Sequence, residues 1–540
     1  MFHQVLNPTG NLGLTALAAL IPVIALLLML AVFRLSAWKA TLIGSLITIA
    51  VAVLVWHVPF GTSVQSYVIG SANGIWAVDW ITFWGLIIFN TLTVTGLFDT
   101  FKAWLIKQAT ADIRVQTILL AWAFGALLEG LVGFGYPWAV VAPILIALGV
   151  IELDAIRVAA IANNAPVSFG ALGAPIIALS TVTGLGLLPL SASIGKIVAV
   201  LALLPPWVLI YLVTGKRGFR DGWPLAIVGS LAYIAGQFPV SQFFGPYLPD
   251  IVGALVAFGA LLLLLRFWRP RTVLAYGGVP LAESGAQVSI MEPEAEAEGR
   301  RHSIFAAMLP FLILIVVVVL WTGPWSKLPS VGVFKFTLPA VSSISHKTAS
   351  VVYSFTPFIA GTAILASWLI MLVFIRPSLG TVGTVFRRTF QQMWGALLVG
   401  VFIFGLAFVF NYSGMAPSLA YAFSKIGPTF ILLAPILGWI GVALSGSNTS
   451  TNAMFGLVQV QVGRLLGFPV LLLPSLNSVG AEVGKPVAPQ TASVGVATTK
   501  FVRDEGQVIR HNMGWTLVML GWLIIVALLY YFLLPGTMRL

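Results

Sequence analysis

Long apolar runs separated by short polar ones fill almost the whole chain. A helix needs about 20 mostly apolar residues to cross a bilayer. Ten runs read as such spans: 12–33, 39–56, 80–97, 192–214, 222–238, 248–267, 303–322, 351–375, 391–413 and 514–534. Two further regions, 115–183 and 429–500, are apolar overall but interrupted. The first contains Gly130, Gly133 and Gly135, then Asn163, Asn164, Ala165 and Pro166, then Gly170, Gly173 and Pro175. The second contains Ser445 to Asn452, then Gly480, Gly484, Lys485, Pro486, Pro489 and Gln490. Irregular backbone is tolerated at membrane depth only inside protein or beside a wet cavity. Each interrupted region is therefore expected to form a re-entrant hairpin followed by a broken helix. The hairpins are placed near 117–150 and 429–465, and the broken helices at 155–183 and 467–500. The fold class predicted is an all-α polytopic membrane protein with about 12 crossings.

Composition agrees with this pattern. Hydrophobic residues make up 59% of the 540 and charged ones 8%, against about 45–50% and 25% in a soluble protein. The 28 basic and 16 acidic residues cannot give a chain of this length a polar skin. A cytosolic enzyme and a disordered chain are excluded. The chain has no Cys, which excludes disulfides, thiolate metal sites and cysteine nucleophiles.

The formal charge of +12 becomes informative once the basic residues are placed. They cluster at Arg34 and Lys39; Lys102, Lys107 and Arg114; Lys216, Arg217 and Arg220; Arg266, Arg269, Arg271, Arg300 and Arg301; Arg376, Arg387 and Arg388; and Lys500, Arg503 and Arg510. Segments 57–79 and 237–250 hold none. By the positive-inside bias the six clusters are cytoplasmic and both termini periplasmic. Scattered Lys196, Lys327, Lys335, Lys347, Lys425, Arg464 and Arg539 oppose that orientation. The charge thus reads as topology and contact with the lipid bilayer, not as nucleic-acid binding.

Residues 268–302 form the one long hydrophilic stretch, with Glu292, Glu294, Glu296 and Glu298, and read as a cytoplasmic linker between halves 1–267 and 303–540. The first half begins outside with spans 12–33, 39–56 and 80–97. The second begins inside with 303–322, 351–375 and 391–413. Each triplet is followed by an interrupted region and a clean span, and the first half adds 222–238 and 248–267. Opposite orientation of corresponding halves predicts inverted repeats, with a binding site where the paired segments break.

Ionisable residues inside apolar segments are costly and few. Glu129 stands at the first break. A proton-coupling role follows from a carboxyl in low dielectric, with backbone capping of the hairpin as the structural alternative. Lys485 stands at the second break. It suits a carboxylate substrate beside half-helix N-termini, which attract anions; the alternative is a pair with Glu482 three residues earlier. Asp79 and Asp99 read as interfacial anchors, with Asp99 in an i,i+3 pair with Lys102. The Trp residues read as an interfacial belt. His346 and His511 read as loop residues, and the five His show no ligand spacing, so no metal or cofactor is expected. Without a nucleophile and an oriented base the chain does not read as an enzyme.

At these motifs the sequence resembles the bacterial L-lactate permease family. The similarity rests on Asn7-Pro8-Thr9-Gly10-Asn11; on Leu128-Glu129-Gly130 with Gly133-Phe134-Gly135 and Pro137; and on Asn164-Ala165-Pro166-Val167 with Phe169-Gly170-Ala171. It continues through Gly446 to Asn452, Gly484-Lys485 and Pro489-Gln490, so it runs nearly end to end. The resemblance implies a secondary active transporter in the bacterial inner membrane. It implies symport of protons with L-lactate, D-lactate and glycolate, that is, small-molecule monocarboxylates. With it, the expected substrate site comprises Gly133, Phe134, Gly135, Asn163, Asn164, Pro166, Ser168, Ser447, Asn448, Thr449, Ser450, Thr451, Asn452, Lys485 and Gln490, and Glu129 carries the proton. Ser447-Asn448-Thr449 also resembles the hairpin tip of divalent-anion–sodium symporters, which makes a sodium-coupled carboxylate symporter the alternative.

Overall fold

The computed structural model describes residues 1–108, 110–133, 135–283, 303–497, 499 and 504–539. After a two-residue strand β1 (Phe2–His3) come α1 (Leu12–Ala31) and α2 (Ala37–Leu54). Helix α3 (Phe60–Val94) is long and widens to π-helical turns over Gly74–Asp79. Short helix α4 (Leu97–Gln108) precedes a hairpin of α5 (Ile113–Leu131) and α6 (Tyr136–Ala147). Then α7 (Glu152–Ala162) and α8 (Gly170–Thr183) form a broken pair, with 67° between Glu152–Ala162 and Val167–Thr183. Helices α9 (Leu187–Leu201), α10 (Pro205–Thr214), α11 (Phe219–Phe243) and α12 (Pro249–Phe267) complete this part.

Beyond residue 302, α13 (Ile304–Thr322) is followed by three short strands, β2 (Phe334–Leu338), β3 (Ala340–Val341) and β4 (Val351–Phe355). Strand β2 pairs antiparallel with β4, and β3 pairs parallel with β1. Helices α14 (Ala360–Ile375), α15 (Leu379–Ser413) and α16 (Met415–Ser424) lead to a second hairpin, α17 (Phe430–Ser445) and α18 (Asn448–Leu466). A second broken pair, α19 (Leu472–Gly484) and α20 (Pro489–Val496), precedes α21 (Glu505–Phe532).

Among the described residues, ten helical stretches are long and apolar enough to cross a membrane, eleven with the bent pair taken as one span. The chain is an all-α, multi-pass membrane protein. Its burial is that of a bundle in lipid: every residue from Ile113 to Leu131 is buried, whereas α13 shows Phe305, Leu312, Val316 and Leu320 to the outside.

Several boundaries and placements differ from the sequence reading. The span expected at 351–375 is a helix only from Ala360, because Val351–Phe355 pairs with β2. The one expected at 80–97 extends back to Phe60, which puts Asp79 inside a continuous helix rather than at its end. Asp79 is 9% exposed, and a methyl group on Gly400 of α15 would run into its carboxylate. Trp56, Trp122 and Trp138 are fully buried and belong to no interfacial belt. His511 lies inside α21 and pairs with Asp154 at 2.7 Å. The expected Asp99–Lys102 pair is present at 3.2 Å.

One face gathers several of the basic loops. Arg114, itself buried, pairs with Asp112 at 2.6 Å and donates to the carbonyls of Gly218 and Thr272. Tyr276 donates a hydrogen bond to Asp154, and burial together with that carboxylate raises its phenol above the ordinary range. The described part of the linker, 268–283, is thereby fastened to the helices.

Helix contacts rely on missing side chains, as in other membrane bundles. A methyl group on Gly438 of α17 would collide with the carbonyl of Asn477, and one on Gly480 of α19 with that of Pro435. Gly480→Ala is expected to cost about 1–3 kcal/mol by overpacking. Gly521→Ala on α21, with nothing within 4 Å, leaves stability nearly unchanged. Thermal unfolding of the two purified variants in detergent checks the difference.

Candidate functional site

The two hairpins and two broken pairs turn their breaks toward one another. At the first tip, Gly133 and Gly135 take left-handed backbone, φ +66° and +75°, which only glycine adopts without strain. A Cβ on Gly133 would stand 2.9 Å from that of Ala171, and one on Gly135 2.7 Å from Cγ2 of Thr491. At the second tip, Gly446 is also left-handed, and its Cβ would meet Gln490 at 2.7 Å. Both tips are thus wedged against broken helices. In the first broken pair, Ala171 and Leu172 are left-handed without being glycine. That conformation costs about 1–2 kcal/mol per residue, and strain of this kind marks positions where function requires a special backbone.

At the centre, Lys485 Nζ meets Glu129 Oε1 at 2.6 Å, with both side chains almost fully buried. Asn163 donates to the other oxygen of Glu129 at 3.0 Å. Lys485 does not pair with Glu482, the partner suggested by sequence spacing. The helix ends at Gly484 and the break redirects Lys485 across to the first hairpin. Glu482 instead accepts from Ser168 at 2.6 Å, and Ser168 lies 3.2 Å from Ser478. From there the network continues. Asn452 donates to Ser478 Oγ and to the Pro175 carbonyl, both at 3.0 Å, and accepts from Asn477 at 3.0 Å. Asn448 donates to the Ser478 carbonyl at 3.1 Å.

The structure therefore brings together Glu129, Asn163, Ser168, Asn448, Asn452 and Lys485, as expected of a shared site. Other expected residues serve the tips. Ser447 accepts from the Ser450 amide, and Thr451 donates to the Ser447 carbonyl. Thr449 and Gln490 are half-buried, Pro166 sits in the turn that Phe169 closes, and Phe134 lies outside the described residues. Asn477, Ser478 and the separate role of Glu482 were not anticipated. A signal existed: Ser475, Ser478, Glu482 and Lys485 recur at helical spacing along one face.

Some buried polar atoms here have no protein partner: Asn163 Oδ1, both side-chain ends of Asn164, Asn448 Oδ1 and Glu482 Oε1. Buried polar groups are normally satisfied, so this cluster is equipped to meet a polar ligand or water. Two cavities lie elsewhere and are apolar. One of about 410 Å³ stands between α3 and the β2–β4 ribbon, and one of about 110 Å³ between α13 and α14. The side chains of the polar centre itself are buried.

Broken helices thus meet at a buried ion pair inside a multi-pass membrane bundle. The chain belongs to the L-lactate permease family, whose pattern its residues 15–534 match. It is 33% identical over 557 residues to the glycolate permease GlcA of Escherichia coli, covering 99% of each chain. It is 31% identical to the L-lactate permease of Bacillus subtilis, covering 97% of each, and 30% identical to that of Escherichia coli, covering 96% of each. These relatives are permeases, and the chain is a transporter, not an enzyme.

Breaking a buried pair by removing one partner is strongly destabilising, by about 3–5 kcal/mol, because a lone charge stays buried. Lys485→Met alone should therefore lower the melting temperature more than the double variant Glu129→Gln, Lys485→Met does. Equal losses in the single and double variants would remove the energetic coupling inferred from the 2.6 Å contact.

Proposed function

We propose that the protein carries L-lactate and related 2-hydroxymonocarboxylates, D-lactate and glycolate among them, together with protons across the bacterial inner membrane. The observation that carries this reading is the single ion pair between the two breaks, Glu129–Lys485. One ammonium can neutralise one carboxylate. When a substrate carboxylate takes Lys485, Glu129 is left charged in low dielectric, which costs several kcal/mol. A proton taken up by Glu129 restores neutrality. Substrate and proton then occupy the site together and leave together. The free ends of Asn164 and Asn448 supply further polar groups for the substrate.

The order of elements supports inverted repeats. Helices of 20, 18 and 35 residues, α1 to α3, correspond to 19, 16 and 35 residues in α13 to α15. A short helix, a hairpin and a broken pair follow in each half, and α11 and α12 have no counterpart after residue 302. The positive-inside bias of the basic loops supports a first repeat that starts outside, a second that starts inside, and periplasmic termini. Rocking of the repeats around the fixed breaks would alternate access.

Labelled L-lactate uptake into proteoliposomes under an imposed pH gradient tests the reading. Uptake is expected to follow the pH gradient, to ignore a sodium gradient and to be competed by D-lactate and glycolate. Glu129→Gln should abolish the response to pH. A pH response equal to wild type in that variant would refute the coupling role of Glu129.

A further inference from the structure

A second buried carboxyl stands beside the first break and takes no part in the site as described. Asp250, the second residue of α12, is 1% exposed. Its Oδ1 accepts a hydrogen bond from Tyr233 of α11 at 2.8 Å, and its Oδ2 has no partner. It reaches the hairpin where Gly130, next to Glu129, leaves room: a Cβ on Gly130 would stand 2.8 Å from that of Asp250. The elements packed on the start of α12 are α11 and α5. The ionisable groups they present are Tyr233 and Glu129, with Lys485 and Glu482 across the break, and these charges act on one another.

Charge counting then fixes the protonation pattern. Three buried carboxyls, Glu129, Glu482 and Asp250, face one buried ammonium, Lys485. An uncompensated charge at this depth is too costly, so two of the three carboxyls are neutral. Glu129 holds the lysine, which leaves Glu482 and Asp250 without a cation to balance them. Tyr233 occupies Oδ1 as donor, so the Asp250 proton sits on Oδ2, the atom with nothing to accept it.

We propose that Asp250, positioned by Tyr233, is the proton donor to Glu129, a second proton site on the path from outside; this rests on the proton-coupled reading above. When substrate takes Lys485, the Oδ2–H bond of Asp250 breaks and an O–H bond forms on Glu129. The electron pair stays on Asp250 as a carboxylate. The Tyr233 hydroxyl and the N-terminus of α12 stabilise that carboxylate, and water regains it a proton from the external face. Segment 237–250 carries no Lys or Arg and is assigned to that face. The loop before Asp250 also bears on the broken helix: a Cβ on Gly173, in the kink, would stand 2.7 Å from the Cβ of Pro246. The kink and the loop that leads to the proton donor are thus in direct contact. Helices α11 and α12 would then be an addition to the repeat that feeds its proton.

The test compares two transport modes of the full-length protein in proteoliposomes with labelled L-lactate: uptake driven by a pH gradient, and counterflow with lactate inside and no gradient. In Asp250→Asn the ratio of pH-driven uptake to counterflow is expected to fall about tenfold or more, as for loss of a positioned proton donor. Asp250→Glu should recover part of it, and Tyr233→Phe should lower it less. A ratio equal to wild type in Asp250→Asn overturns the proposal, as does an equal loss of both modes, which marks Asp250 as structural. If Asp250→Asn does not insert, Tyr233→Phe, which removes one hydroxyl, decides by the same ratio. Should wild type itself ignore the pH gradient, the proton-coupled reading fails first. Should wild type and Glu129→Gln behave as expected and Asp250→Asn match wild type, only the present proposal falls.

Discussion

A charge cannot stay alone in the centre of this bundle, and the Glu129–Lys485 pair is how the chain meets that constraint. Both oxygens of Glu129 are used, one by the ammonium and one by Asn163. A buried pair of this kind adds little net stability over an apolar replacement. Its retention between two backbone breaks therefore points to use rather than to strength. The pair ties the first hairpin to the second broken helix.

The remaining architecture serves that contact. The hairpin tips must approach the broken helices closely, so glycines stand where Cβ atoms would collide, at Gly133, Gly135 and Gly446. Gly170 has the same role toward Glu129 itself, for its Cβ would lie 2.7 Å from Oε1. Asn163 holds the pair itself, and beside it a second group of side-chain amides and hydroxyls runs from Ser168 to Asn477. The unpartnered atoms within it leave bonding capacity. The polar centre is thus buried and only partly satisfied inside an apolar shell.

Much of this was legible in the residues because the bilayer allows few solutions. Apolar runs of spanning length become helices, and clusters of Gly, Pro, Ser and Asn within them become breaks, as at 163–173 and 446–447, while a lone Pro such as Pro22 or Pro310 does not. Glu129 and Lys485 stood out because charge is so scarce. Span 351–375 was misplaced because Val351–Phe355 is as apolar as a helix and is claimed by β2, a long-range partner that periodicity does not show. Asp79 was placed at the end of a span because the apolar run starts only at Trp80, whereas the helix begins at Phe60 and runs through it.

The sequence by itself determined the class of protein, the number of spans within one or two among the described residues, and the two segments whose helices are interrupted. Lipid imposes those features on each segment separately, so local composition suffices. Only the tertiary structure decided who meets whom. Lys485 has a carboxylate three residues away and pairs with one 356 positions distant, because a helix break turns its side chain out of register with Glu482. Tyr233 and Asp250 come from a hairpin that sequence reading left as two plain spans, and they reach the centre because Gly130 has no side chain to keep them out.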